Sequence, residues 1–213
     1  MGTLVLNTFS YYNKKTAYLL IKLLIIPMKG CVYMSSAREK LYTTEDIYAM
    51  HNGTRAELIN GHIYYMAPPT RNHQKIISKL NQYIANYIDS SNDSCEVYPA
   101  PFAVFLNNDD MNYVEPDISV ICDKNKLDNR GCHGAPDWII EIVSQSSRRM
   151  DYSIKLFKYR SAGVREYWIV DPEKSRIMVH DLMNEDITEY TFHDSVKSKI
   201  YENLIIDFRK IDL

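Results

Sequence analysis

The chain has 213 residues, 46% of them hydrophobic, enough for one α/β domain with a sizeable core and too few for two full domains. Its formal net charge of −2 excludes the whole-surface basic field of histone-like or sliding DNA binders, so any nucleic-acid contact must be local. The four cysteines, Cys31, Cys95, Cys122 and Cys132, include no C-x-x-C pair, which argues against a zinc motif and predicts reduced thiols in a cytoplasmic compartment.

Residues 1–33 read differently from the rest. Lys14 and Lys15 precede an apolar stretch, residues 17–28, that Lys22 interrupts and that is too short to span a membrane. No small-x-small cleavage site follows it. Met28-Lys29-Gly30 is what a purine-rich ribosome-binding site would encode if translated, and it stands about three codons before Met34. Translation is therefore expected to start at Met34. Residues 1–33 would be a non-native or disordered extension, and 34–213 a single domain.

Within that domain, Thr43 followed by Glu45 and Asp46 marks a short helix whose first-turn acids suit the dipole. Two short strands, residues 55–60 and 62–66, flank Asn60-Gly61, a strong hairpin signal. Ile76, Ile77, Leu80, Ile84 and Ile88 recur at helical spacing over residues 72–89. Three strand-like runs follow, 97–106, 114–121 and 138–143, the last two apolar on both faces as central strands are. A second helix over 148–162 stops at Gly163. Residues 166–170 form another buried strand, and 176–182 with 187–192 an antiparallel hairpin annex. The pattern predicts an α/β fold of mixed α+β type, with a central mixed sheet flanked by helices.

Carboxylates on such strands need a reason. Asp117 opens one central strand after Pro116, and Glu141 sits inside Trp138-Ile139-Ile140-Glu141-Ile142-Val143. Burying either costs several kcal/mol, on the order of that magnitude, unless it is paired, protonated or bound to a cation. Pairing with lysine or arginine and binding of a divalent ion both satisfy this, and the residues alone leave the two open. On the second helix Asp151, Lys155, Lys158 and Ala162 share one strip, so Asp151 and Lys155 read most simply as an i,i+4 ion pair on a solvent face. Arg148 and Arg149 oppose the dipole of the helix they open, which either a docked phosphate or plain solvation would relieve. His73 reads as a cap or surface group, Glu57 as a cross-strand partner of Arg55, and Trp138 and Trp168 as core rings.

Pro116-Asp117, then Glu141, then a lysine resembles the signature of the PD-(D/E)XK nucleases. Glu57-Leu58-Ile59-Asn60-Gly61, Met66-Ala67-Pro68-Pro69, His73-Gln74, Glu115-Pro116-Asp117, Gly134-Ala135-Pro136-Asp137 and the run from Gly163 to Pro172 are, in order and spacing, similar to the Uma-two family of restriction endonucleases. The resemblance implies a restriction-endonuclease-like core and a magnesium-dependent endonuclease, with manganese as a substitute ion. It implies metal ligation by Asp117, Glu141 and the Ile142 carbonyl. Val143 stands where the superfamily's usual lysine would be, and the resemblance points to Lys155 instead. It makes Glu57 an additional acid, with His73 and Gln74 facing the site; Arg148 and Arg149 complete the candidate substrate contacts. The implied partner is nucleic acid, DNA before RNA, with a homodimer left open and no membrane. An inactive nucleic-acid-binding or protein-interaction module on the same fold is the alternative.

Overall fold

Local chemistry sets the first elements. The structure, a computed structural model, describes residues 40–211 apart from Asn108, so the expected extension over residues 1–33 and the expected start at Met34 lie outside the described residues. Helix α1 (Thr44–Tyr48) opens where the Asp46 carboxylate accepts the Thr43 N–H at 2.8 Å. Strands β1 (Ala56–Ile59) and β2 (His62–Tyr65) form the predicted hairpin, with Asn60 (φ 51°) and Gly61 (φ 77°) both left-handed, as a two-residue turn demands. Helix α2 (Arg71–Ser91) begins at Thr70, whose hydroxyl accepts the His73 N–H, and it buries the five apolar residues that the spacing singled out.

The next two predicted strands require correction. Residues 97–106 and 114–121 do not form one strand each; each run divides between two sheets. The first becomes β3 (Glu96–Pro99) and β4 (Val104–Phe105), the second β5 (Tyr113–Val114) and β6 (Ile118–Ile121). Pro99 and Pro101 lie at the first division and Pro116 at the second. Proline donates no ladder hydrogen bond and fixes its own φ, so the chain leaves one sheet there and enters the other.

The remaining strands are β7 (Leu127–Asp128), β8 (Gly131–His133), β9 (Trp138–Ile142), β10 (Glu166–Asp171), β11 (Arg176–Asp181), β12 (Asp186–Thr191), β13 (Ser195–Lys197) and β14 (Ile205–Asp207). The central sheet runs β12-β11-β10-β9-β6-β3. In it only β9 and β10 pair in parallel, joined by a crossover through a wide π-type turn, Met150–Lys155, and helix α3 (Leu156–Ala162). Gly163, at φ 94°, ends that helix. A second mixed sheet runs β2-β1-β5-β4-β8-β7. The predicted C-terminal hairpin extends the central sheet directly through β10. The small β13–β14 hairpin was not anticipated from the sequence.

Side-chain alternation on β9 then positions the chemistry. Trp138, Ile140 and Ile142 pack with Trp168, Val170 and the apolar stripe of α2. Ile139 and Val143 point the other way, clustering with Tyr159, Val164, Val104 and Val114. Glu141 shares that second face by the period of two.

Cys95 and Cys122 are joined by a disulfide, against the expectation of reduced thiols. They flank the Glu96–Ile121 pair of the β3–β6 ladder, so the register sets them side by side, a proximity that sequence spacing conceals. Unpaired thiols therefore no longer argue for a reducing compartment. Among the described residues Cys132 is a buried free thiol, and no helix is long and apolar enough to cross a membrane.

Candidate active site

Strands from both sheets and two helices bring their polar side chains together. Ile118 opposes Ile140 in the β6–β9 ladder, and extending that register by one residue sets Asp117 opposite Glu141. Asp117 Oδ2 accepts the Ile142 N–H at 2.8 Å, which fixes the carboxylate at the end of β9. His73, in the first turn of α2, places Nε2 3.2 Å from the same oxygen. Glu57 arrives from β1 of the second sheet and accepts the Glu115 N–H at 3.0 Å. Lys155 Nζ bridges the two sheets, 2.8 Å from Glu57 Oε2 and 2.9 Å from Glu141 Oε1. One turn further on, the Tyr159 hydroxyl donates to Glu141 Oε1 at 2.7 Å.

This arrangement overturns the solvent-face reading of Asp151 and Lys155, which are 1% and 4% exposed. The strip they share is real, but it faces the acids of two sheets rather than water. Its orientation could not be read from helical spacing, which gives relative positions only.

Burial governs the electrostatics. It pushes the Glu141 carboxyl well above the usual carboxylate range; the Lys155 charge opposes this, while Asp117, Asp151 and Glu57 add to it. Burial alone would depress Lys155, but Glu141, Glu57 and Asp151 hold its ammonium well above its ordinary value. Burial also raises Asp151 to about 6, against the pull of Lys155. For His73, burial works downward, yet the contact with Asp117 and the Ile142 backbone raise it overall. Four carboxylates thus face one ammonium and one histidine. Their mutual repulsion and burial favour the neutral form of Glu141 and Asp151 unless a cation joins them.

The other expected contacts lie elsewhere. Gln74 is exposed and makes no side-chain hydrogen bond to the cluster. Arg148 is bound to acids: Nη1 lies 2.7 Å from the buried Asp171 and Nη2 2.7 Å from Glu173. Arg149 is exposed and takes part in no ion pair among the described residues.

A model of the Uma2 family, described as "Putative restriction endonuclease", matches residues 40–208, most of the chain. The chain belongs to this family. A Synechocystis protein, "Uncharacterized protein slr1290", is 26% identical over 148 residues, covering 67% of this chain and 76% of its own. A solved structure from Anabaena variabilis, described as a putative nuclease belonging to DUF820, superposes with a TM-score of 0.64 at 18% identity. It covers 79% of this chain and 96% of its own, which establishes a common fold.

Among the described residues of this Uma2 protein, no three Asp, Glu, His or Cys side chains are disposed as a ready metal shell. Magnesium does not need one: it takes one or two carboxylates and keeps several waters. Asp117 and Glu141, on adjacent strands with two further acids beside them, have the donor chemistry for such an ion. Sequence reasoning missed Tyr159 and the burial of Asp151. Both stand four residues from Lys155, so the spacing held a signal once Lys155 itself was placed inside.

Proposed function

We propose that this protein is a divalent-metal-dependent endonuclease that hydrolyses nucleic-acid phosphodiester bonds, with DNA as substrate, in the cytoplasm. The observation that carries this reading is the convergence of Asp117, Glu141 and Lys155, which are distant in sequence, in one buried cluster. Membership of a restriction-endonuclease family supports it independently.

Asp117 and Glu141 would hold the ion, with the Ile142 carbonyl as a further oxygen donor. When bound, magnesium supplies Lewis-acid polarisation of the phosphate and lowers the pKa of water at its surface. Lys155 keeps its proton, because three acids raise its affinity for it. It therefore acts as a fixed positive charge and hydrogen-bond donor where negative charge develops on phosphorus, not as a base. Glu57 orients Lys155 and Tyr159 orients Glu141, and His73 steadies Asp117.

The test is incubation of plasmid, single-stranded DNA and RNA with magnesium or manganese and either wild type or Asp117→Asn. Metal-dependent nicking by wild type alone supports the reading. Identical behaviour of the two proteins on every substrate refutes it, and salt-sensitive binding without cleavage would indicate an inactive nucleic-acid-binding module.

A further inference from the structure

Buried acids in this protein are, as a rule, saturated with donors. Glu166, fully buried, accepts from Trp168 Nε1, the Ser198 hydroxyl and the backbone N–H groups of Lys199 and Ile200. Asp171, equally buried, accepts from Arg148, Tyr152 and the Lys174 N–H. Asp151 departs from the rule. It is 1% exposed, and no donor among the described residues meets either of its carboxylate oxygens.

Its backbone, by contrast, is pinned. The Asp151 N–H donates to the Ser147 carbonyl at 3.0 Å, and its own carbonyl accepts the Tyr167 hydroxyl at 3.0 Å. The Ser147 hydroxyl accepts from the Ser144 N–H and hydroxyl and reaches the Ser144 carbonyl only at 3.4 Å; it is near enough to ease the charge on the Asp151 carboxylate but closes no hydrogen bond to either of its oxygens. Lys155 cannot serve either. Its ammonium has three donors and is committed to both Glu57 oxygens and to Glu141 Oε1. Asp151 is buried on the same short segment as Lys155, one turn before it, and Lys155 touches both Glu57 and Glu141; the charge of Asp151 accordingly bears on Lys155, Glu141 and His73, so the side chain stands beside the cluster. A carboxylate held in place, buried and left without a protein donor is an acceptor for something the pocket takes up.

We propose that Asp151 is a fourth acid of the divalent-cation site, holding the ion through one of its bound waters. Direct ligation beside Asp117 and Glu141 would need three acids directed at one point, and no three are so disposed. A metal-bound water spans that gap, since its two O–H groups are donors and magnesium or manganese retains several such waters. This inference rests on the reading that the pocket binds a divalent ion.

Calorimetric titration of the full chain with manganese alone, together with melting in EDTA, tests it. Asp151→Asn should bind manganese about 10–100-fold more weakly than wild type, the usual cost of losing a partner of a metal's bound ligand. In EDTA the same variant should melt at a higher temperature than wild type, because a buried carboxylate that no donor meets has gone. Lower melting in EDTA would make Asp151 an ordinary structural acid and overturn the proposal. Wild-type affinity in Asp151→Asn, with binding lost in Asp117→Asn, would remove Asp151 from the site and leave the nuclease reading standing. No manganese binding by wild type would overturn both.

Discussion

Replacing Lys155 with methionine keeps much of the side chain's length and removes its charge, which isolates what the ammonium does. Lys155 lies 2.8 Å from Glu57 and 2.9 Å from Glu141, and all three side chains are buried. At an effective dielectric of about 20, each contact is worth about 6 kcal/mol of attraction, against several kcal/mol for desolvating the ammonium. Removing it leaves two adjacent buried carboxylates unbalanced, so Lys155→Met should destabilise the metal-free protein by about 3–5 kcal/mol at pH 7.5, as broken buried pairs do. The pH dependence carries a sign. Without the ammonium, the Glu141 carboxyl rises further above its unfolded value, so the folded variant binds protons more tightly than the unfolded chain. The penalty is therefore largest at neutral and alkaline pH and shrinks as pH falls through the raised value. Urea denaturation of wild type, Lys155→Met and Lys155→Met/Glu141→Gln at pH 7.5 and pH 5 measures this. The double variant should recover part of the loss, since one of the stranded charges has gone. A single variant within about 1 kcal/mol of wild type at pH 7.5, or no recovery in the double variant, would refute the reasoning.

Two further predictions concern residues away from the pocket. Glu166→Ala strips acceptors from two backbone N–H groups, an indole and a hydroxyl, and should cost about 3 kcal/mol or more; hydrogen exchange at the Lys199 and Ile200 amides should accelerate ahead of the rest of the chain. Uniform exchange across the chain would count against that local clamp. His180 is buried with no partner on either ring nitrogen among the described residues, and burial, with Arg160 nearby, lowers its pKa to about 4. The unfolded chain takes up that proton below about 6.5 and the folded protein only near 4, so stability contributed by this residue is lost as pH falls across that window. His180→Leu should flatten the stability–pH curve there, and parallel curves for the two proteins would exclude the effect.

How far the sequence reveals this architecture depends on what kind of information each element needs. Helix α2 was legible because its four buried isoleucines and one buried leucine repeat at a helical period and depend on nothing distant. The β1–β2 turn was legible for the same reason: Asn60-Gly61 determines its own geometry. The apolar runs carrying Asp117 and Glu141 announced central strands, and the acids within them announced a site. What failed was partition and facing. Apolar character continues across Pro99–Pro101 and Pro116, so those runs looked whole, although a residue that cannot donate to a ladder is where a chain changes sheets. The Cys95–Cys122 bond and the Lys155–Glu57 bridge, the latter 98 residues apart in sequence, exist only once strands are in register. Asp151 shows the limit most clearly. A helical projection correctly aligned it with Lys155, then assigned both to water, because charged strips usually face water. Here the segment runs through a π-type turn, a local widening often found where side chains serve a site, and faces the acids of two sheets instead. Among the described residues no donor meets the Asp151 carboxylate on that strip, and there folding requirements stop accounting for the sequence.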